Sequence, residues 1–417
     1  MAKGVYKNMP KNDTFYLSLY GNILDHYDSN LYSFMAPIIA PLFFPNHDPV
    51  VQLIFAYGLL STSLISRPLG AIFFAYLVQQ ISPQRCLAIT LMGLGLATFC
   101  ISLLPTYESI GSFAPIALAI IRCIQGFFAG GESCIAGRFS LSQKPAKKHG
   151  WYGGLYQSST VIGILLASFV SLGVGIINIE QIWRIPFILG VGASVLAFYL
   201  RWKNIQNYPI INSPKIDFPF NDLIKSWSLI IRLALISSFS YITYVIPFVF
   251  LNSFVPLISS ITKNEMLALN TAFLFLDAIL CPFLGRLSDQ FCAKQFMTWM
   301  LILFILFTIP AFLLIPHVSL IGIAFIRLVF IFIGLGFLVP LTGWGAQQIP
   351  QHSGYMINGI AYNLGSEILG RTFPTVCLFI WYESKSLIFI AIYPVALAFI
   401  SLFSLKSFRP LKYKKFV

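Results

Sequence analysis

The sequence predicts an all-α membrane protein, with twelve transmembrane helices in two halves of six. Three observations carry that prediction. Of the 417 residues, 57% are hydrophobic and only 10% charged, and the mean hydropathy is +0.80. Soluble domains spend about a quarter of their residues on charge, so 27 basic and 14 acidic side chains cannot cover a 46.7 kDa soluble surface. The chain also divides into apolar runs of the length that crosses a bilayer, about 20 residues. Its longest polar break, 203–225, falls in the middle. Composition therefore excludes an ordinary cytosolic enzyme, a disordered chain and a secreted disulfide scaffold. The runs are continuous, without the ten-residue alternation of a membrane β-barrel.

Read in order, the first half (1–202) holds spans at about 16–40, 50–78, 86–104, 112–140, 150–178 and 184–202. A polar, basic stretch (Met1 to Asp13) precedes the first run, which is too long for a signal-peptide core. Pro45 to Pro49, Ser82-Pro83 and Pro105 to Gly111 supply turn chemistry between the next spans. The linker at 203–225, rich in Asn, Pro, Asp and Lys, is expected on the cytoplasmic side. The second half (226–406) holds spans at about 226–258, 264–290, 294–315, 318–347, 353–380 and 384–406, with a break at Pro350 to Gly354. A basic tail, 407–417, closes the chain. Two six-span halves joined by a polar linker are the pattern of a carrier built from repeats, with its substrate site between them near the bilayer midplane.

Charge placement sets the expected orientation. With both termini cytoplasmic, eighteen Lys and Arg near span ends lie on that side, against Lys263, Lys385 and Arg184 on the other. The net charge of +13 is then a topology signal and implies no nucleic-acid partner. The seven cysteines form no C-x-x-C pair and read as small hydrophobes, and no metal-ligand spacing is present.

Nine ionisable residues remain at membrane depth: Asp25, Asp28, Arg67, Arg122, Glu132, Asp277, Arg327, Glu367 and Arg371. Each costs at least ~2.5–3.5 kcal/mol at the bilayer centre, so they are functional candidates. Four arginines against five carboxylates nearly cancel, as pairing across a bundle requires. Asp25 and Asp28 are three apart on one helix. Two such carboxylates repel, the condition under which one loads and releases a proton near neutral pH; the alternative is that one bonds a basic neighbour and never titrates. Arg122 and Glu132 are ten apart, about 15 Å of helix rise, so each needs a partner elsewhere or a watery cavity. Glu367 and Arg371 have the i,i+4 spacing of an intrahelical pair and read most simply as self-neutralising.

These residues sit in recognisable strings. The first span carries GNILDHYD at Gly21–Asp28, followed by LYSFMAPIIA and LFFP. The second carries SRPLG at Ser66–Gly70, and the fourth IRCIQGFFAGGE at Ile121–Glu132. QIWRIPF at Gln181–Phe187 and YNLG at Tyr362–Gly365 follow. Together they closely resemble the metabolite:H⁺ symporter family of the major facilitator superfamily, whose members carry α-ketoglutarate, citrate, shikimate, or proline and betaine. The likeness is strong over about residues 16–200 and traceable from 226 to 406. It implies the twelve-helix major facilitator fold and import of a small polar metabolite with protons across a bacterial-type inner membrane. Family motif positions fall on Asp25, Asp28, Arg67, Arg122, Gln125, Glu132 and Gln157.

There are departures. Asp25-His26 stands where relatives usually have Glu-Trp. The loop motif G-x-x-x-D-R-x-G-R between spans 2 and 3 is almost erased by Gln79, Gln80, Ser82 and Pro83, whereas the equivalent gating loop after span 8 keeps Gly285, Arg286 and Asp289 but not the later Gly-Arg. Gln347 stands where the family has an acid, and Glu367 and Arg371 occupy positions that are usually small and apolar.

The expected function is secondary active import by alternating access, driven by the proton gradient, with no cofactor and no metal. Arg67 and Arg122 are expected to bind a substrate carboxylate, because a guanidinium pairs with it bidentately and stays charged when buried. Asp25, Asp28 and Glu132 are the expected proton carriers. Gln125, Gln157, Tyr27, Tyr241, Tyr244 and Asn363 are candidates for further hydrogen bonds to substrate, leaving Asp277, Arg327, Glu367 and Arg371 as additional intramembrane charges. An organic anion such as a dicarboxylate and a zwitterion such as proline or betaine both suit this set. The expected partners are solute, proton and bilayer, and the expected state is a monomer. The rival readings are an exporter or antiporter and, more distantly, a polytopic membrane enzyme. An ATP-driven pump is excluded, because no G-x-x-x-x-G-K-[ST] string is present.

Overall fold

The computed structural model describes residues 13–45, 47–142, 144, 148–177, 182–205, 220–349 and 354–408, which contain helices and no strand. In the first half the long helices are α1 (Asp13–Phe43), α2 (Pro49–Gln80), α3 (Pro83–Leu103), α4 (Phe113–Ser142), α5 (His149–Ile176) and α6 (Ile185–Ile205). In the second half they are α7 (Trp227–Ile258), α8 (Lys263–Ser288), α9 (Ala293–Leu314), α10 (Leu320–Gln348), α11 (354–384) and α12 (Leu387–Ser407). Residues 206–219 of the linker and 409–417 of the tail lie outside the described residues. So do Lys3, Lys7, Lys11, Lys147 and Lys215, which entered the charge count.

Ten of the twelve are long and apolar enough to cross a membrane. The other two, α1 and α11, are the helices that carry Asp25 with Asp28 and Glu367 with Arg371. Their ionisable groups lower the mean hydropathy where polar chemistry is concentrated.

Helix ends follow local chemistry. Asp48 caps α2 by accepting from the Val50 N–H at 2.8 Å, with Pro49 at the first helical position, where its missing N–H costs nothing. Thr262 and Glu265 form a reciprocal capping box on α8, with Thr262 N donating to Glu265 Oε2 at 2.7 Å and Glu265 N to Thr262 Oγ1 at 3.2 Å.

The packing repeats. In the first half α1 packs on α5, α2 on α4 and α3 on α6; in the second, α7 packs on α11, α8 on α10 and α9 on α12. The halves meet along α5–α8 and α2–α11, two seams exchanged by the same repeat. Small residues let backbones approach, since lipid tails give no hydrophobic drive for helices to associate. A methyl on Gly130 would run into the backbone of Arg67, and one on Gly70 into the backbone of Phe127, so α2 and α4 lie in close contact. Two stretches widen into π turns, Ile246–Phe250 in α7 and Gly365–Arg371 in α11.

Candidate functional site

A cavity of about 260 Å³ lies between the halves, walled by α1, α2, α4 and α5 on one side and α7, α8, α10 and α11 on the other. It is slightly smaller than typical ligand pockets, which run roughly 300–1,000 Å³. Arg67, Glu132, Gln157, Tyr241 and Tyr244 line it, with Asp25, Asp277 and Arg371.

Behind the α2–α11 wall sits a shared ion pair. Glu367, fully buried, places Oε1 2.7 Å from Arg371 Nε and 3.3 Å from Arg67 Nε, while Ser63 Oγ donates to Oε2 at 2.5 Å. The expected i,i+4 pair is present, but it is not self-contained: Arg67 joins it from the other half. Two guanidiniums around one carboxylate leave an excess of positive charge at this wall. Arg371 also lies over the Tyr241 ring, 5.5 Å from its centroid, a cation–π contact.

The two α1 carboxylates part company. Asp25 reaches the cavity, with His26 Nδ1 3.5 Å from its carboxylate. Asp28 turns the other way, towards α3, where Thr98 Oγ1 lies 2.6 Å from both its oxygens. Gln125 Nε2 donates to Thr98 Oγ1 at 2.9 Å, Arg122 donates to Gln125 Oε1, and the Arg122 guanidinium covers the Tyr32 ring at 4.5 Å. Asp28, Thr98, Gln125 and Arg122 are therefore one buried chain behind the cavity wall. Arg122 and Gln125, expected on the substrate, are engaged there. Tyr27 donates to Pro186 O at 2.8 Å, and Asn363 bonds Ser133 and Gly359 O at 3.1 and 2.7 Å, fastening α11 to α4.

Glu132 accepts from Thr90 Oγ1 at 2.8 Å at the cavity edge. Arg327 is fully buried in the second half, donating to Asn270 Oδ1 and lying 5.5 Å from the Phe273 ring centroid. Ser63, Thr98 and Asn270, which satisfy these charges, were not singled out by sequence reading. The one signal available is that each is a small polar residue inside an apolar run.

Contacts between the halves close both ends of the seam. On the face where α1 begins and α12 ends, Asp289 accepts from the Gly150 N–H at 2.8 Å and the Trp151 N–H at 3.1 Å. These are unpaired donors of the first turn of α5, so a carboxylate from one half caps a helix of the other. Gly150 and Gly285 bring the two backbones together there, while Arg286 is exposed in the last turn of α8. On the opposite face Tyr57 Oη and Ser253 Oγ are 2.5 Å apart. Among the described residues no group of three or more His, Cys, Asp or Glu could hold a metal ion.

Residues 14–204 match the family model described as "Sugar (and other) transporter". A glycine betaine/proline/ectoine/pipecolic acid transporter of Dickeya dadantii is 29% identical over 407 residues, covering 92% of this chain and 80% of that protein. A proline/betaine transporter of Escherichia coli is 28% identical over 405 residues, with the same coverage. An inner membrane metabolite transport protein of Escherichia coli is 26% identical over 417 residues, covering 95% and 93%. Among solved structures, the xylose transporter from E. coli superposes with a TM-score of 0.74 at 14% identity, covering 95% of this chain and 97% of that one. The human organic anion transporter MFSD10 gives 0.66 at 12%, covering 95% and 100%. The solved structures establish the fold; the full-length relatives are carriers of small solutes.

Proposed function

We propose that this chain, which belongs to the major facilitator superfamily, imports a small carboxylate-bearing metabolite, of the betaine or proline class, in symport with protons. It is a transporter and not an enzyme. The observation that carries the substrate reading is the wall formed by Arg67 and Arg371, two guanidiniums with one carboxylate between them beside a cavity of metabolite size. A substrate carboxylate entering there meets positive charge already desolvated by the protein, where a charge-assisted bond is strong. The relatives named for proline and betaine transport support that class.

Rocking about the cavity exposes it first to one side and then to the other. Asp289 against α5 and Tyr57 against Ser253 are the contacts that must alternately break. Asp28, sealed from the cavity but linked through Thr98 and Gln125 to Arg122, is the proposed proton carrier, and Asp25 and Glu132 at the cavity edge complete the relay. The positive-inside bias supports placing the termini in the cytoplasm and the protein in the inner membrane.

Uptake of labelled proline and glycine betaine into proteoliposomes, with and without an imposed pH gradient, tests this reading. Accumulation above equilibrium only when the gradient is imposed is the expected result. Uptake indifferent to the gradient overturns proton symport, and absence of uptake of both solutes overturns the substrate class.

A further inference from the structure

One charge in the cavity wall is not used by any of the networks above. Asp277 lies in the middle of α8, is 4% exposed, faces the cavity, and among the described residues makes no hydrogen bond or ion pair. A buried carboxylate without a partner is expensive at membrane depth and invites a cation.

The backbone places its surroundings. Ser158 Oγ donates to Ala278 O at 2.7 Å, and a methyl on Gly154 would come within 2.6 Å of Cys281 O, so α5 and α8 are locked in register. The residues next to that bond, Gln157 and Asp277, both face the cavity. Tyr244 lines the cavity from α7 and lies within electrostatic reach of Asp277. The Tyr244 ring is 6.2 Å from Tyr241, whose face lies under Arg371. The wall therefore runs from a guanidinium across two aromatic rings to a carboxylate, a polarity that matches a molecule carrying both charges.

We propose that Asp277, with Gln157 and the Tyr244 ring, is the subsite for the positive group of the transported solute, an ammonium or quaternary ammonium. Asp277 supplies the counter-charge and Tyr244 a π face, which attracts cations that have no hydrogen to donate. Gln157 can accept from an ammonium that does. The assignment builds on the carboxylate reading of Arg67 and Arg371, yet binding of a bare cation at Asp277 requires neither arginine.

Three probes separate the two ends: glycine betaine, its neutral-carbon counterpart 3,3-dimethylbutyrate, and choline, which has the cation without the carboxylate. Binding is measured by calorimetry on the purified full-length protein. Wild type is expected to prefer glycine betaine to 3,3-dimethylbutyrate by about tenfold or more, and Asp277→Asn to erase that preference and weaken choline by about tenfold, with 3,3-dimethylbutyrate unchanged. A variant that keeps the preference, or a wild type that never shows it and does not bind choline, overturns the proposal. Choline binding that depends on Asp277 while 3,3-dimethylbutyrate fails to bind would sink the carboxylate reading and leave the cation subsite standing. Carbodiimide labelling of wild-type Asp277, read by mass spectrometry, needs no variant. Choline and glycine betaine should protect it and 3,3-dimethylbutyrate should not; equal protection by all three overturns the assignment.

Discussion

Arg67 and Glu367 form a buried ion pair of 3.3 Å between α2 of one half and α11 of the other. Because the same carboxylate oxygen also holds Arg371 at 2.7 Å, one acidic side chain neutralises charge on both sides of the seam. Any opening along α2–α11 separates Arg67 from that oxygen, so the state of the seam and the charge of the cavity wall are coupled.

Glu367→Gln tests this coupling. Removing one partner of a buried pair costs about 3–5 kcal/mol, mostly from the charge left behind. The thermal unfolding midpoint in detergent is expected to fall by several degrees, and Arg67→Gln in the same molecule to restore part of the loss. An unchanged midpoint would mean that the bridge contributes nothing.

Asp28→Asn leaves the shape of the Thr98–Gln125–Arg122 chain but removes its titratable end. Counterflow exchange of substrate should survive, whereas accumulation driven by an imposed pH gradient should fall to baseline. Gradient-driven accumulation at the wild-type level would exclude Asp28 as the proton carrier.

Asp289→Ala strips the cap that the second half places on α5. Loss of a helix cap is worth about 0.5–2 kcal/mol, which shifts the balance between closed and open terminal faces by roughly 2- to 30-fold. A cysteine at Thr342, which lines the cavity, should then react faster with a membrane-impermeant thiol reagent added from that face. An unchanged rate would show that the cap does not hold the closed state.

Gly130→Ala places a methyl against the backbone of Arg67. Overpacking of this kind costs about 1–3 kcal/mol, and here it displaces a residue of the cavity wall. Uptake should drop sharply, while Gly173→Ala, which meets nothing within 4 Å, should match wild type. Equal uptake by the two variants would mean that the α2–α4 approach does not position Arg67.

Helices were legible from the chain because apolar runs and breaks are local. The nine charges at depth were legible too, and every one is buried. Their partners were less so, because pairing depends on how helices rotate against each other. Spacing alone says that Arg122 needs a partner on another helix or a watery cavity; Tyr32 of α1 supplies a ring face and Gln125, one turn along, an acceptor. Asp25 and Asp28 differ by three positions and so by about 60° around the helix. That is enough to send one into the cavity and the other towards Thr98. No spacing rule links Arg67 to Glu367, which meet only because the two halves close on each other.

The wide turns in α7 and α11 have a genetic consequence. A π turn houses one residue more than the α turn it replaces, and each α residue turns the helix by about 100°. Deleting a single residue within Gly365–Arg371 would let an α turn re-form with the downstream part of α11 still facing nearly the same way, whereas a deletion in a regular α turn would swing it by about 100°. The same applies to Ile246–Phe250 in α7, the helix on which α11 packs. Both helices thus have a reading frame in space: one codon lost at the wide turn keeps the side chains that meet the seam, and one codon lost in a regular turn of either helix does not.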